Sequence, residues 1–361
     1  MESETLANKF ILVSNGDSYV GYVLARHLVE ELNRCRISIK KHWRIRVLCV
    51  NRRKLKGLER MGADIQQVDY DSEAIIRKQL HHVKYLVFVP NMGDHRVSQG
   101  INILDCAAHH KVRNFSIGVG DAFKENVSFG HYLQLEKYVR EKFAYYRWCI
   151  FRLGFLHQYF YYWSQMIESS GVIGMPLSEG DIFATVDVQD VCDCVATLLF
   201  SPKKQSNPDD DEIGIPERAL KRIYQLTGPR NYSCAEMVKL LNKSLEDGEG
   251  ANVSFDHISL EKMKAYFESI MVLKGKENPQ QGLYKPGLLP DPHHYLNASA
   301  IDLFLDFMAV VRCRPQTDIT NDVRDLSGKD PTDLRTFFRK NNKHFRPSYQ
   351  VDKAATICRT S

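Results

Sequence analysis

The sequence predicts an α/β fold built on a doubly wound parallel sheet, and three observations carry that expectation. Short apolar runs alternate with helical patterns through the first 155 residues, as in a sheet whose strands are buried on both faces and joined through crossover helices. The first run, Phe10 to Val13, stops at the turn Ser14-Asn15-Gly16-Asp17-Ser18, which opens directly into a helix. Finally, no run of about 18 consecutive apolar residues is present to span a bilayer, and the opening MESETLANKF has neither the basic flank nor the apolar stretch of a secretory signal. A cytoplasmic protein, with the nucleus as a second location, is the expectation.

The elements follow in order. Apolar Val20, Val23, Leu24, Leu28 and Leu32 recur at helical spacing. The basic connection Arg34 to Arg46 reads as a solvated loop, and Ile45 to Val50 as the second strand. The turn Gly62-Ala63 leads to a short strand at Ile65 to Val68, a helix through Ile75, Ile76 and Leu80, and a strand at Tyr85 to Val89. A helix around Val97 to His109, a strand at Asn114 to Val119, a helix from about His131 to Phe143 and a strand at Trp148 to Leu153 continue the alternation. The polar, acidic stretch Pro202 to Pro216 reads as a mobile loop. Beyond it come a strand at Arg222 to Leu226, a helix at Ser233 to Leu245 with Ser233 and Glu236 spaced as a capping box, and a strand at Val253 to Phe255. Helices are expected at Leu260 to Ile270 and Ala298 to Val311. Phe337, Phe338 and Phe345 should anchor the end of the chain, with 347–361 a flexible tail. The division that follows is a dinucleotide-binding unit over 1–155 and a C-terminal lobe over 156–346.

Composition narrows the function classes. A chain of 361 residues with 43% hydrophobic content supports an ordinary packed core. Its net charge of +5, from 49 basic against 44 acidic residues, is too small to imply nucleic acid. Nine cysteines without a C-x-x-C pair point to reduced, buried thiols, and Cys192 and Cys194 on one helix diverge rather than converge on a metal. The pairs His81-His82, His109-His110 and His293-His294 read as surface or helix-end histidines, since adjacent side chains diverge.

The first turn carries the chemistry. A glycine-rich turn between strand and helix lets backbone N–H groups approach a pyrophosphate at the positive end of the helix. Here Asn15 and Ser18 stand where glycines are usual, and Gly21 is kept. Asparagine tolerates positive φ, whereas the Ser18 hydroxyl would either bind the phosphate or obstruct it. After the second strand, Asn51-Arg52-Arg53-Lys54 offers arginines and no acid. That favours a 2′-phosphate, and hence NADP over NAD, through charge-assisted bonds.

The turn at Phe10 to Gly21, Asn51-Arg52-Arg53, Gly62-Ala63 followed by Asp69-Tyr70-Asp71, and the exit Phe151-Arg152-Leu153-Gly154-Phe155 resemble the NmrA-like family of atypical short-chain dehydrogenases. Leu226-Thr227-Gly228-Pro229 and the run Asp322 to Pro331 resemble its C-terminal half, so the likeness covers roughly residues 8 to 345. The resemblance implies a Rossmann domain completed by a smaller, discontinuous C-terminal α/β lobe, with a cleft between them. It implies cofactor contacts at Asn15, Gly16, Ser18, Tyr19, Val20, Gly21, Asn51, Arg52, Arg53 and Asp69. The family holds NADP-binding regulators and redox sensors, some tied to transcriptional regulation through a protein partner, and also NADPH-dependent reductases of quinones and carbonyls.

Catalytic residues are harder to place. Tyr138 and Lys142 have Tyr-x-x-x-Lys spacing, but lie too close to the Trp148 strand for that role. Aligning Leu135-Glu136-Lys137-Tyr138 with the family's Val-Glu-Glu-Tyr puts Tyr132, with His131 beside it, where the reductases keep a lysine. Tyr132 and His131 are thus the candidate proton donors, with no nearby cation expected and Lys137 more than a helical turn away. The aromatic run Tyr159 to Trp163 is expected either to line the cleft or to fill the core.

Overall fold

In the computed structural model, residues 9–110, 112–118, 127–145, 147–201, 213–245, 252–274, 292–313 and 318–348 are described. Strands β1 (Lys9–Val13), β2 (Trp43–Cys49), β3 (Asp64–Gln67), β4 (Val83–Phe88), β5 (Arg113–Gly118) and β6 (Trp148–Leu153) lie in one sheet. A late strand, Arg222–Leu226, pairs in parallel with β6 and gives the sheet the order Arg222–Leu226, β6, β5, β4, β1, β2, β3. Every pairing within it is parallel. Strand order reverses between β1 and β4, which is the switch point where such sheets open a crevice at their carboxyl ends.

Helices cover both faces. α1 (Tyr19–Arg34) is joined through α2 (Ile37–His42) to β2, and α3 (Lys56–Arg60) leads into β3. α4 (Glu73–Gln79), α5 (Arg96–His109) and α6 (Val127–Lys142) occupy the other face. Leu24 and Leu28 of α1 pack with Val47 and Val87 in one core, while Ile76, Leu104 and Val139 pack with Leu12 and Leu86 in the other. The alternating faces of each strand thus feed two separate cores, as the near-continuous apolar runs require.

After β6 come β7 (Phe155–Leu156), α7 (Ser164–Ser170), β8 (Val172–Met175), β9 (Ile182–Val186) and α8 (Val188–Leu199). The strand Arg222–Leu226 is β10, and β11 (Asn231–Ser233), α9 (Cys234–Leu245), β12 (Ser254–His257) and α10 (Leu260–Lys274) follow. The last helices are α11 (Ala298–Cys313), α12 (Asp322–Ser327) and α13 (Leu334–Asn341). A third core collects Phe155, Phe160, Trp163, Phe267, Phe304 and Phe338, with Phe337 and Phe345 closing it as expected from the sequence. The predicted capping box is formed: the Glu236 N–H donates to Ser233 Oγ, and the Ser233 N–H donates to the Glu236 carboxylate.

Four expectations need correction. The Arg34 to Arg46 connection is not a plain loop, since Ile37–His42 is helical with no buried residue, and Trp43 behind it is buried and stacks on Tyr85. Of the stretch 202–216, residues 202–212 lie outside the described residues, but its end is anchored. Ile213 and Ile215 are buried, and Tyr85 donates its hydroxyl proton to the Ile213 carbonyl. The tail expected from 347 is still tied at Ser348, whose N–H and hydroxyl both donate to the Glu168 carbonyl, and residues 349–361 lie outside the described residues. His293 is buried rather than on the surface and meets Tyr162 edge-on.

Candidate functional site

The loop after β1 is stitched to the loop after β4 at the switch point. Ser14 Oγ donates to the Val89 carbonyl at 3.0 Å and accepts from the Val89 N–H at 2.9 Å. The Asn15 amide donates to the Pro90 carbonyl, and the Asn15 N–H donates to the buried Tyr70 hydroxyl at 2.7 Å. Asn15 adopts φ +51, the left-handed conformation its side chain tolerates better than most. At Gly21 an added Cβ would stand 2.1 Å from the Asn15 carbonyl oxygen, so only glycine lets the helix start so close to the turn.

Ser18 is the N-cap of α1. Its hydroxyl accepts from the Gly21 N–H at 3.2 Å and donates to the Asn15 carbonyl at 2.7 Å. The side chain is folded into the turn rather than aimed outward as either a phosphate ligand or an obstruction. The N–H groups of Tyr19 and Val20, the remaining donors of the first turn, have no acceptor among the described residues.

Beside the loop, at the carboxyl ends of β2 and β3, lies a cavity of about 620 Å³ lined by Val50, Gln67, Val68, Asp69, Tyr70, Asp71 and Gln99. Val50 is 53% exposed, an apolar side chain held at the rim. Of the two arginines after β2, Arg52 is paired with Glu59 at 2.5 Å, while the Arg53 guanidinium has no partner among the described residues. An acid does reach this strand end, from the first loop. Asp17 Oδ2 accepts the N–H groups of Val50 at 3.1 Å and Asn51 at 2.9 Å.

On the far side of the switch point, Tyr132 on α6 is buried, and the Arg96 guanidinium lies 4.4 Å from the centre of its ring. Arg96, 4% exposed, donates to the carbonyls of Asn91 and Met92 at 2.7 Å each. Burial raises the Tyr132 pKa, and the Arg96 charge only partly offsets this. The expectation that no cation stands near Tyr132 therefore fails, because helix α5 folds its first residue back over the ring. His131 is partly exposed and, one position earlier on the helix, projects about 100° away. Lys137 is turned to solvent beside Glu141. Tyr138 and Lys142 both engage Asp105 on α5, at 2.7 and 2.6 Å, which makes that spacing a helix-to-helix anchor.

A model of the NmrA-like family matches residues 7–211, more than half of the chain. The chain belongs to the NmrA-like family. Comparison with curated proteins gave no match. Among solved structures, the triphenylmethane reductase of Citrobacter sp. complexed with NADP(H) is similar at a TM-score of 0.65 and 15% identity, over 92% of this chain and 99% of that one. The NADPH-dependent quinone oxidoreductase of Escherichia coli gives a TM-score of 0.65 at 16% identity, again over 92% and 99%. A nucleoside-diphosphate-sugar epimerase of Staphylococcus aureus gives 0.63 at 12% identity over the same shares. At these identities the likeness speaks for the fold, from β1 into the C-terminal lobe.

Within this NmrA-like protein, Asn15, Gly16 and Ser18 in the loop after β1 are gathered with Tyr19, Val20 and Gly21 of the first turn of α1, with Asn51, Arg52 and Arg53 after β2 and Asp69 in the cavity beside them. Tyr132 and His131 stand apart on α6. Sequence reasoning missed Asp17, Tyr70 and Arg96. The place of Asp17 in the turn, immediately before the second glycine position, was visible, but its contact with the end of β2 was not. For Arg96 there was no signal, because a cation opening a helix reads as solvated. Of the aromatic run, Phe160, Tyr162 and Trp163 are core, whereas the partly buried Tyr159 bridges two cores and lies 6.2 Å from the Tyr19 ring. No helix among the described residues is long and apolar enough to cross a membrane, and no cluster there could hold a metal.

Proposed function

We propose that this protein binds NADP(H) across the β1/β4 switch point and acts as a regulator or redox sensor, with cofactor occupancy rather than turnover passed to a protein partner. The residues fit such a cofactor. The left-handed Asn15 and the obligatory Gly21 shape a tight turn, the Tyr19 and Val20 N–H groups are open donors, and the cavity at Asp69 with Val50 on its rim suits an adenine. Arg53, whose guanidinium has no partner among the described residues, is the cation this reading assigns to a 2′-phosphate. Bound NADPH supplies a hydride. What this chain would have to supply is a proton, and the carrying observation is that it holds none ready at the expected position. Tyr132 is buried with its pKa raised, and the cation above it is an arginine, which does not give up a proton. Occupancy has a physical route outward, because Tyr19, next to the open donors, packs against Tyr159 and Tyr295 at 6.2 and 5.6 Å.

One observation favours a second reading, reduction of a flat aromatic substrate such as a quinone. Tyr159 stands between Tyr19 and Phe304, an aromatic wall at the lobe boundary, and two similar structures are a triphenylmethane reductase and a quinone oxidoreductase. Calorimetry with NADP and NADPH, followed by NADPH-oxidation assays with quinones and small aldehydes, separates the two. Binding with no oxidation above background is expected. Brisk oxidation that collapses in Tyr132→Phe would replace the regulator with the reductase.

A further inference from the structure

The strand end that receives the adenosine ribose in a switch-point site already contains an anion. Asp17, from the glycine loop, places one carboxylate oxygen on the N–H groups of Val50 and Asn51 at 3.1 and 2.9 Å, although 33 and 34 residues separate them. The other oxygen, Oδ1, is buried and has no hydrogen-bond partner among the described residues. Val50 lines the cavity. The charge is felt around it: burial and then the Asp17 carboxylate push the Cys49 thiol up to about 12. Two backbone N–H groups at a strand end are what a phosphate would use there, and here an internal carboxylate holds them.

We infer that Asp17 is a specificity-determining residue: its carboxylate holds the strand-end N–H groups that a 2′-phosphate would use and opposes Arg53, leaving the protein with little discrimination between NADP and NAD. This rests on the cofactor reading above and sharpens it. Arg53 draws a 2′-phosphate toward the strand end while Asp17 repels it and keeps its donors. An acid that accepts from ribose hydroxyls is the ordinary way such a site admits NAD. Here the acid comes from the neighbouring loop and acts through its charge and through the two N–H groups it holds.

Two substitutions separate charge from occupancy. Asp17→Asn removes the charge but keeps an acceptor for the Val50 and Asn51 N–H groups, and Asp17→Ser removes both while leaving a small polar side chain in the turn. Dissociation constants for NADP, NADPH, NAD and NADH are measured by calorimetry on the full chain, with thermal melts of each variant to establish folding. In the unaltered protein NADP and NAD should bind within about tenfold of each other. NADP affinity should rise at least about tenfold in Asp17→Asn and further in Asp17→Ser, with NAD affinity unchanged or lower. Arg53→Ala should move the ratio the opposite way. A ratio that stays within twofold in both folded Asp17 variants, with binding intact, would overturn this inference alone. Failure of every variant and of the unaltered protein to bind either dinucleotide would overturn the cofactor reading and this inference together.

Discussion

Ser18, Gly16 and Gly21 show how little freedom the phosphate-facing turn has. At Gly16 a Cβ would meet the Val47 side chain at 2.1 Å, and at Gly21 it would strike the Asn15 carbonyl oxygen at the same distance. The neighbour of Gly16 is a side chain that can turn, whereas the neighbour of Gly21 is backbone in the loop itself. Gly21→Ala should therefore be the more damaging of the two in a thermal melt, and equal losses would contradict the contact argument. Ser18 makes a milder case. Its hydroxyl caps α1, so Ser18→Ala should cost about 1 kcal/mol and Ser18→Gly only a few tenths, measured by urea unfolding. The tolerance of Asn15 for positive φ was readable from residue type alone. The roles of Asp17 and Arg96 were not, because each arises from a contact made by folding: Asp17 with a strand end 33 residues away, Arg96 with a ring on another helix.

Between elements, the firmest lock beside the site is the ion pair from α6 to β6. Glu136, 7% exposed, receives the Arg152 guanidinium through two bonds, at 2.9 and 2.7 Å. Removing Glu136 takes two charge-assisted bonds from a largely buried guanidinium, and breaking one side of a buried pair costs up to about 3–5 kcal/mol. Glu136→Ala should lower stability by that order in urea unfolding, and a change below 1 kcal/mol would show the pair to be incidental. The pair also holds the helix that carries Tyr132. Elements with local signals were legible before any contact was known: the Ser233–Glu236 box sets the start of α9, and the strand at Arg222–Leu226 has the bounds its apolar run suggested. Elements defined by contact were not. α2 has six residues and no buried face, so its composition read as loop. Ile213 and Ile215 were lost in the average of an acidic stretch, although they fill space beneath Tyr85.

At the scale of the whole molecule, the C-terminal segment returns from the lobe to close on α8, and a titratable group sits in that closure. Asp190 of α8 accepts the Thr332 N–H at 2.7 Å and meets the Thr332 hydroxyl at 3.0 Å, just ahead of α13. Burial pushes the Asp190 carboxyl up to about 6, the Thr332 N–H pulls it down, Asp187 adds to the rise, and His157 also pulls it down. Lys329, which feels Asp190, is bound mainly to Asp193. In the unfolded chain an aspartate titrates near about 3.9. The folded state therefore holds a proton on Asp190 that the unfolded state has lost between about pH 4 and 6, and stability falls as pH rises through that window. A shift of about 2 units corresponds to roughly 2–3 kcal/mol. The neutral Asp190→Asn side chain can reproduce the protonated pattern, accepting from the Thr332 N–H and donating to its hydroxyl. Urea unfolding of both proteins across pH 4 to 7 checks this. The unaltered protein should match the variant near pH 4 and fall behind it by about that amount near pH 7, since every other titrating group is common to both. A difference that does not change with pH would mean that Asp190 titrates alike in the folded and unfolded protein, its bonds from Thr332 cancelling the effect of burial.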